Sequence, residues 1–193
     1  RSIAYCLSES GATLDDIDRV VFYDQPFLTF ERILETYVTG APRGYTSFMK
    51  VIPSWVGKKL WTEHVIRSNL DWKGPVSFVN HHEAHAASAF FPSPFDRAAV
   101  LVVDGVGEWA TVSWWRAQGS KIEAREEIRY PDSLGLLYST FTAHLGFEVN
   151  SGEYKVMGLA PFGTPLYRDV IFDKLVQLHD DGSFSLDQRY FDF

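Results

Sequence analysis

The sequence predicts an α/β fold with a mixed sheet and flanking helices, and three segments carry the prediction. Residues 2–10 have a helical pattern closed by glycine, and the apolar run from Ile17 to Tyr23 is typical of a buried strand. A second strand at Pro75–Val79 leads into an Ala-rich helix from Asn80 to Phe91. Three strands separated by turns then follow between residues 99 and 128. Strands alternating with helices are typical of α/β proteins.

The remaining segments are predicted to be mainly helical. Apolar spacing indicates a helix over Pro26–Val38, and a less regular helical stretch from Tyr45 to Asn69 should be interrupted near Pro53. Further helices are expected over Ser133–Leu145 and from Pro165 to His179, and a last strand over Ser183–Leu186. Glycine and proline punctuate Ser151–Gly163, which predicts an extended loop there.

Composition excludes several classes of protein. The chain has 193 residues, of which 46% are hydrophobic, enough for a substantial core. A formal charge of −7 and no cluster of Lys or Arg argue against a nucleic-acid partner. Cys6 is the single cysteine, which excludes an intrachain disulfide and favours a reducing compartment. No apolar run approaches the ~20 residues of a membrane span, so we expect a cytoplasmic location without a membrane partner.

The start of the Ala-rich helix carries a candidate metal-binding pair. His81 and His85 are four residues apart, so both imidazoles lie on one face of a helix and can reach one ion. His82 and Glu83 point elsewhere, and the string lacks the zinc metalloprotease arrangement, in which Glu directly follows the first His. The alternative is that both histidines only satisfy a buried helix start. A third ligand, a carboxylate, would have to come from elsewhere.

Two other segments contain candidate binding residues. Asp104-Gly105-Val106-Gly107-Glu108 follows a strand, and its glycines allow backbone N–H groups to approach an anion. Asp-Gly turns are also ordinary in β-hairpins, which is the alternative. In an extended loop, Glu153 and Lys155 would point the same way and grip a polar substrate, with Gly158 nearby. A surface ion pair is the alternative there.

Taken together, these segments resemble one enzyme family. The strings Asn80-His81-His82-Glu83-Ala84-His85-Ala86, Asp104–Glu108 and Gly152–Gly163, with Pro131–Tyr138 between the last two, are similar in order and spacing to the O-carbamoyltransferases that tailor nodulation factors and antibiotics. The resemblance runs from about Leu14 to the end of the chain.

The resemblance implies a fold and a division of labour. It implies part of the actin-like, ribonuclease H-like ATPase fold shared by sugar kinases and Hsp70, with residues 1–97 ending a first subdomain and residues 98–193 starting a second. A separate adenylate-forming domain of the same protein would make carbamoyl-adenylate from ATP and carbamoyl phosphate. The amino-terminal domain would then pass the carbamoyl group to the hydroxyl of a sugar, antibiotic or nodulation-factor acceptor.

The resemblance also implies roles for particular residues. His81 and His85 match the ligands of an iron or zinc ion whose third ligand, an Asp, would lie outside this chain, and Mg²⁺ is a further candidate ion. Asp104–Glu108 match a phosphate-facing hairpin, and Glu153 and Lys155 match a loop lining the active site. No residue is identified as the general base. Because the first phosphate loop and the adenylate-forming domain are missing, we expect the isolated chain to be inactive.

Two other functions stay open. An actin-fold kinase of a small alcohol would share the α/β order and the hairpin but would not need the histidine pair. A non-catalytic nucleotide-binding module is the second alternative. The aromatic stretch from Trp55 to Trp72 is a candidate homodimer interface.

Overall fold

The computed structural model describes residues 1–191 and has a mixed α/β architecture, which confirms the predicted fold class. The actin-like architecture stays a prediction. The chain divides into two compact units, Arg1–His81 and a second that begins at His82. The predicted boundary between residues 97 and 98 concerns subdomains of a longer protein and stays a prediction. Residues 192 and 193, the end of the predicted second subdomain, lie outside the described residues.

The first unit contains a short parallel pair of strands. β1 (Val20–Phe22) pairs with β2 (Val76–Phe78), with Phe22 opposite Phe78. Parallel strands need a long crossover connection, which here contains α2, α3 and α4. The helices of this unit are α1 (Ser2–Ser10), α2 (Pro26–Gly40), α3 (Tyr45–Gly57) and α4 (Thr62–Leu70), with 3-10 turns at Leu14–Asp16 and Lys59–Trp61.

Two predictions for the first unit need correction. The strand predicted over Ile17–Tyr23 is only three residues long, because the Ile17 amide still bonds the Leu14 carbonyl of the preceding 3-10 turn, and Val21 is exposed. The helical stretch from Tyr45 is not interrupted at Pro53, which lies inside α3. The break comes after Gly57, where Lys58 leaves helical geometry with φ −142°.

The second unit packs a helix on an antiparallel sheet. α5 (His81–Phe90) begins with the last residue of the first unit and continues in the second. The sheet has the order β3 (Arg97–Val103), β4 (Ala110–Gln118), β5 (Lys121–Arg129). Its core contains Ala86 and Phe90 of α5 against Val100, Val102, Trp115 and Ala117 of the strands. β3 is buried on one face only, because Leu101 and Val103 on the other face are exposed.

The rest of the second unit forms a smaller core around Leu137, Val176, Phe184 and Leu186. Its elements are α6 (Leu134–His144), α7 (Glu153–Leu159), α8 (Arg168–Lys174), β6 (Val176–Leu178) and β7 (Phe184–Leu186). The helix predicted to reach His179 is wrong in its second half, because Val176 pairs with Leu186 in a β-hairpin. The extended loop predicted over Ser151–Gly163 is also wrong, because α7 occupies it. Within residues 1–191, no helix has the length and apolar character that a bilayer span requires.

Candidate metal centre

The first histidine of the pair is positioned by the end of β2. The Val79 amide donates to the Phe22 carbonyl at 3.0 Å, and the Gln25 side-chain amide donates to the Asn80 side-chain carbonyl. His81 then starts α5, with its Nδ1 3.3 Å from the Tyr23 carbonyl oxygen. Because a carbonyl oxygen only accepts, this contact requires the Nδ1–H tautomer. The lone pair of His81 is therefore on Nε2, the arrangement typical of metal-bound histidines.

The second histidine lies one helical turn further along α5, next to a carboxylate. His85 Nε2 is 3.7 Å from Asp104 Oδ2, at the carboxyl end of β3. The Asp104 backbone is fixed by the neighbouring strand, since its amide donates to the Thr111 carbonyl at 2.9 Å. The carboxylate is oriented by the Gly105 amide, which donates to Oδ1 at 2.6 Å. Oδ2 is consequently the oxygen turned toward the histidine.

These three side chains together form a candidate metal site. His81, His85 and Asp104 each offer one ligand atom, and all three atoms lie within 4.8 Å of one another. Ligand atoms on one tetrahedral Zn²⁺ are about 3.3 Å apart, so small side-chain rotations would close the group around an ion. Two imidazoles and one carboxylate suit iron as well as zinc. Three protein ligands leave coordination positions for a substrate oxygen, and the partial exposure of all three side chains leaves access to them.

Asp104 is placed at this group by the start of α6. Gly135 lies against the Asp104 carbonyl so closely that a Cβ there would be 2.6 Å from both the Asp104 carbonyl carbon and the Gly105 nitrogen. Ser133, fully buried, donates from its hydroxyl to the Gly105 carbonyl at 2.6 Å and accepts from the Leu136 amide at 3.0 Å. The same serine thus caps α6 and fixes the turn after Asp104.

The sequence predicted only that His82 points elsewhere than the ligand pair, and the structure buries it in the protein interior. Its side chain is 3% exposed, and its Nδ1 is 2.7 Å from the Ser113 hydroxyl on β4. The Trp115 indole N–H donates to the same hydroxyl at 2.8 Å. The His82 ring meets the His85 ring edge to face, with centroids 6.5 Å apart. This buried polar cluster supports the helix turn that carries the ligand pair.

The turn from Asp104 to Glu108 is closed by its own backbone. The amide of Gly107 donates to the Ala110 carbonyl at 2.9 Å, and the amide of Gly105 is engaged by Asp104. Glu108 is buried and Val106 is half-buried. Both glycine amides that the sequence suggested for an anion therefore have acceptors inside the turn. Phosphate binding by this segment stays a prediction.

The predicted substrate residues lie on α7. Glu153 accepts hydrogen bonds from the Asn150 amide at 2.9 Å and the Ser139 hydroxyl at 3.0 Å. The Asn150 amide is the main cause that lowers the pKa of this carboxyl below its ordinary value. Lys155 points away from Glu153, since residues two apart do not share a helix face, and its Nζ lies over the Tyr154 ring. A Cβ at Gly158 would meet no described atom within 4 Å. The structure does not bring these three residues together, and their role in substrate binding stays a prediction.

The sequence placed Asp104 with the phosphate-binding residues, and the third metal ligand was expected outside this chain, so Asp104 was not predicted as a ligand beside the histidines. Its position after a buried strand was the available signal, because strand ends gather functional side chains. Ser113 and Gly135 were not predicted, since their importance depends on contacts between elements distant in sequence.

Comparison with known proteins identifies one family and several relatives of this chain. The family model described as carbamoyltransferase N-terminus matches residues 1–193. The uncharacterized protein sll1178 of Synechocystis sp. is 52% identical over 201 positions, covering 100% of this chain and 33% of that protein. Nodulation protein NolNO of Sinorhizobium fredii is 34% identical, covering 96% of this chain and 26% of NolNO. Nodulation protein NolO of Bradyrhizobium diazoefficiens is 40% identical over 55% of this chain and 19% of its own length. The chain thus spans a third or less of these relatives.

Proposed function

The chain belongs to the carbamoyltransferase N-terminus family, and from this premise we propose that the full-length protein is an O-carbamoyltransferase that uses a metal ion held by His81, His85 and Asp104. The carbamoyl donor would be carbamoyl-adenylate, made from ATP and carbamoyl phosphate by another domain of the protein. The acceptor would be a small molecule with a hydroxyl group. The observation that carries the proposal is the convergence of three ligand atoms in a chain that matches the family over its whole length.

The residues fit this role by charge and geometry. An iron or zinc ion held there would supply positive charge to the phosphate of carbamoyl-adenylate. The His81 Nδ1–H contact with the Tyr23 carbonyl orients that ring and makes Nε2 a better donor. The Gly105 amide holds the Asp104 carboxylate in place. Metal ligands held in this way would fix the position of the phosphate and so favour a single orientation of carbamoyl-adenylate.

The proposed reaction balances without an oxidant or reductant. The acceptor oxygen attacks the carbamoyl carbon and forms the new C–O bond. The bond from that carbon to the phosphate oxygen breaks, and AMP leaves with the electron pair. The hydroxyl proton passes to a general base. None of the described residues is assigned to this role. Mg²⁺ would accompany ATP in the adenylate-forming half.

The proposal includes an actin-like fold for the amino-terminal domain and inactivity of the isolated chain. The curated relatives are at least three times as long, so the donor-forming half would lie in sequence outside this chain. Carbamoyl transfer by the isolated chain would contradict this part of the proposal.

The experiment is a transfer assay on the full-length protein. Purified protein is incubated with ATP, radiolabelled carbamoyl phosphate and a small-molecule extract of the producing cells as the source of acceptor. We expect the wild type to give a labelled, acid-stable product and the Asp104→Asn variant to give none. The His144→Ala variant, which changes an exposed histidine on α6, should give the same product as the wild type. Transfer of the ATP γ-phosphate to the extract, with no carbamoyl product, would instead identify a kinase. Nucleotide binding without either product would indicate a non-catalytic module.

A further inference from the structure

The first unit contains a cavity of about 460 Å³ beside the segment that leads to His81. Its wall includes Phe27 from the start of α2, Trp61 from the 3-10 turn before α4, His64 from α4, and Phe78 from β2. Sites for small molecules have volumes of about 300–1,000 Å³, so the cavity has room for one compact ligand.

Aromatic rings form the main walls of this cavity. Phe27 is 69% exposed and Trp61 is 58% exposed, so both rings present a face to a ligand. The Trp61 indole N–H donates to the Val56 carbonyl at 2.7 Å, which fixes the plane of the ring. A fixed aromatic face binds the apolar face of a ring-shaped ligand with little loss of side-chain entropy.

The charges in the cavity wall balance one another. Arg67 donates from Nε and Nη2 to Glu63 Oε1 at 3.0 and 2.9 Å, and from Nη1 to the Gly74 carbonyl at 2.9 Å. The guanidinium is therefore committed to partners inside the protein, and its charge is matched by Glu63. Among the described residues of the wall, an anion such as ATP or carbamoyl phosphate would find no uncompensated cation, so the cavity suits a neutral ligand. His64 offers hydrogen bonds to hydroxyl groups from the wall.

The cavity is structurally connected to the first metal ligand. Gln25, a wall residue, donates its side-chain amide to Asn80, the residue before His81. Phe78, another wall residue, is in the strand that ends at the same turn. A ligand in the cavity would thus bind beside the segment that fixes His81.

We propose that this cavity is the acceptor site, and that the acceptor is a neutral ring-shaped polyol that stacks on Trp61 and hydrogen-bonds to His64. The assignment of the ligand as acceptor rests on the proposed carbamoyl transfer. Binding of the ligand to the cavity does not require that reaction.

Binding of methyl β-D-glucopyranoside to the full-length protein tests the site. This neutral sugar has flat C–H faces and equatorial hydroxyls, and its binding is measured by titration calorimetry. We expect saturable binding by the wild type, a loss of affinity of about tenfold or more in Trp61→Ala and in His64→Leu, and no change in Tyr5→Ala. Tyr5 is a matched control because it is an exposed aromatic residue on α1, outside the cavity. Circular dichroism verifies that each variant is folded.

The outcomes separate the two proposals. No saturable binding by the wild type, or equal binding by wild type and both folded variants, would overturn the acceptor site whatever the transfer assay shows. Displacement of the sugar by inorganic pyrophosphate would overturn its assignment to a neutral ligand. Sugar binding that depends on Trp61 and His64 in a protein that makes no carbamoyl product would support the site while contradicting the transferase proposal.

Discussion

The Ser113 hydroxyl is the shared hydrogen-bond partner of two buried side chains, His82 and Trp115. The buried hydroxyl meets His82 Nδ1 at 2.7 Å and the Trp115 indole N–H at 2.8 Å, so one small side chain serves a helix and a strand. Buried polar groups must keep such partners, because leaving one unsatisfied in the interior costs about 1–3 kcal/mol. The residue therefore links α5 to β4 through His82.

We predict that Ser113→Ala destabilises the protein by about 1–3 kcal/mol, since His82 Nδ1 and the Trp115 indole N–H both lose the hydroxyl that they share. The free energy of unfolding, measured by denaturant titration of the full-length protein, gives the result. Ser120→Ala, in the exposed turn between β4 and β5, is the matched control. Equal stability of the two variants would show that the buried cluster contributes nothing.

Glu153 is the first residue of α7, and its carboxylate holds the turn that precedes the helix. Its carboxylate receives the Asn150 and Gly152 amides and the Ser139 hydroxyl, which favour the charged form. The pKa in the folded state is consequently lowered from 4.5. A lowered pKa means that the unfolded state takes up the proton more readily, so the stabilisation is complete above pH 4.5 and is lost as pH falls through the folded-state pKa.

Glu153→Gln should therefore reduce stability at neutral pH, and the difference from wild type should shrink below pH 4.5. The midpoint of denaturant unfolding across this pH range measures it. Glu9→Gln, on exposed α1, reports the effect of the lost charge alone. A difference that stays constant with pH would contradict a stabilising role of the ionised Glu153 carboxylate.

At the scale of elements, the contact between α6 and the turn after β3 positions Asp104. Gly135 is the point of closest approach, since its missing side chain lets the helix reach the Asp104 backbone. We predict that Gly135→Ala forces these elements apart, costs about 1–3 kcal/mol of stability and weakens metal binding. Gly57→Ala, at the end of α3 with no described atom within 4 Å of an added Cβ, is the control. Unchanged stability and metal affinity in Gly135→Ala would show that this contact does not position the ligand.

The elements also show how far sequence patterns predict this fold. α1 ends at Gly11 as expected, because the left-handed φ of 68° suits glycine, and β4 and β5 fall where the turns predicted them. α7 was not predicted, because the glycines and a proline of this segment argue against a helix, and the hydrogen bonds that Glu153 accepts from Asn150 and Ser139 are not visible in the sequence. Local patterns thus predict the helix that carries His81 and His85. They do not predict Asp104 beside it, because that proximity depends on how β3 packs against α5.

At the scale of the molecule, the chain carries a formal charge of −7, and the proposed metal would supply a local positive charge. Negative side chains near the site would repel the proposed anionic donor, carbamoyl-adenylate, and a bound cation would offset that repulsion. His81, His85 and Asp104 together carry at most one negative charge, and a divalent ion among them leaves a net positive centre. This proposed centre is the main claim, and it rests on the three ligand atoms that converge there.

The most direct test is the metal content of the purified full-length protein, measured by mass spectrometry for the wild type, the double variant His81→Ala/His85→Ala and the control His144→Ala. We predict close to one equivalent of iron or zinc in the wild type and in His144→Ala, and almost none in the folded double variant, because two of the three ligands are gone. A folded double variant that keeps its metal would show that His81 and His85 are structural, and the proposed metal centre would be wrong.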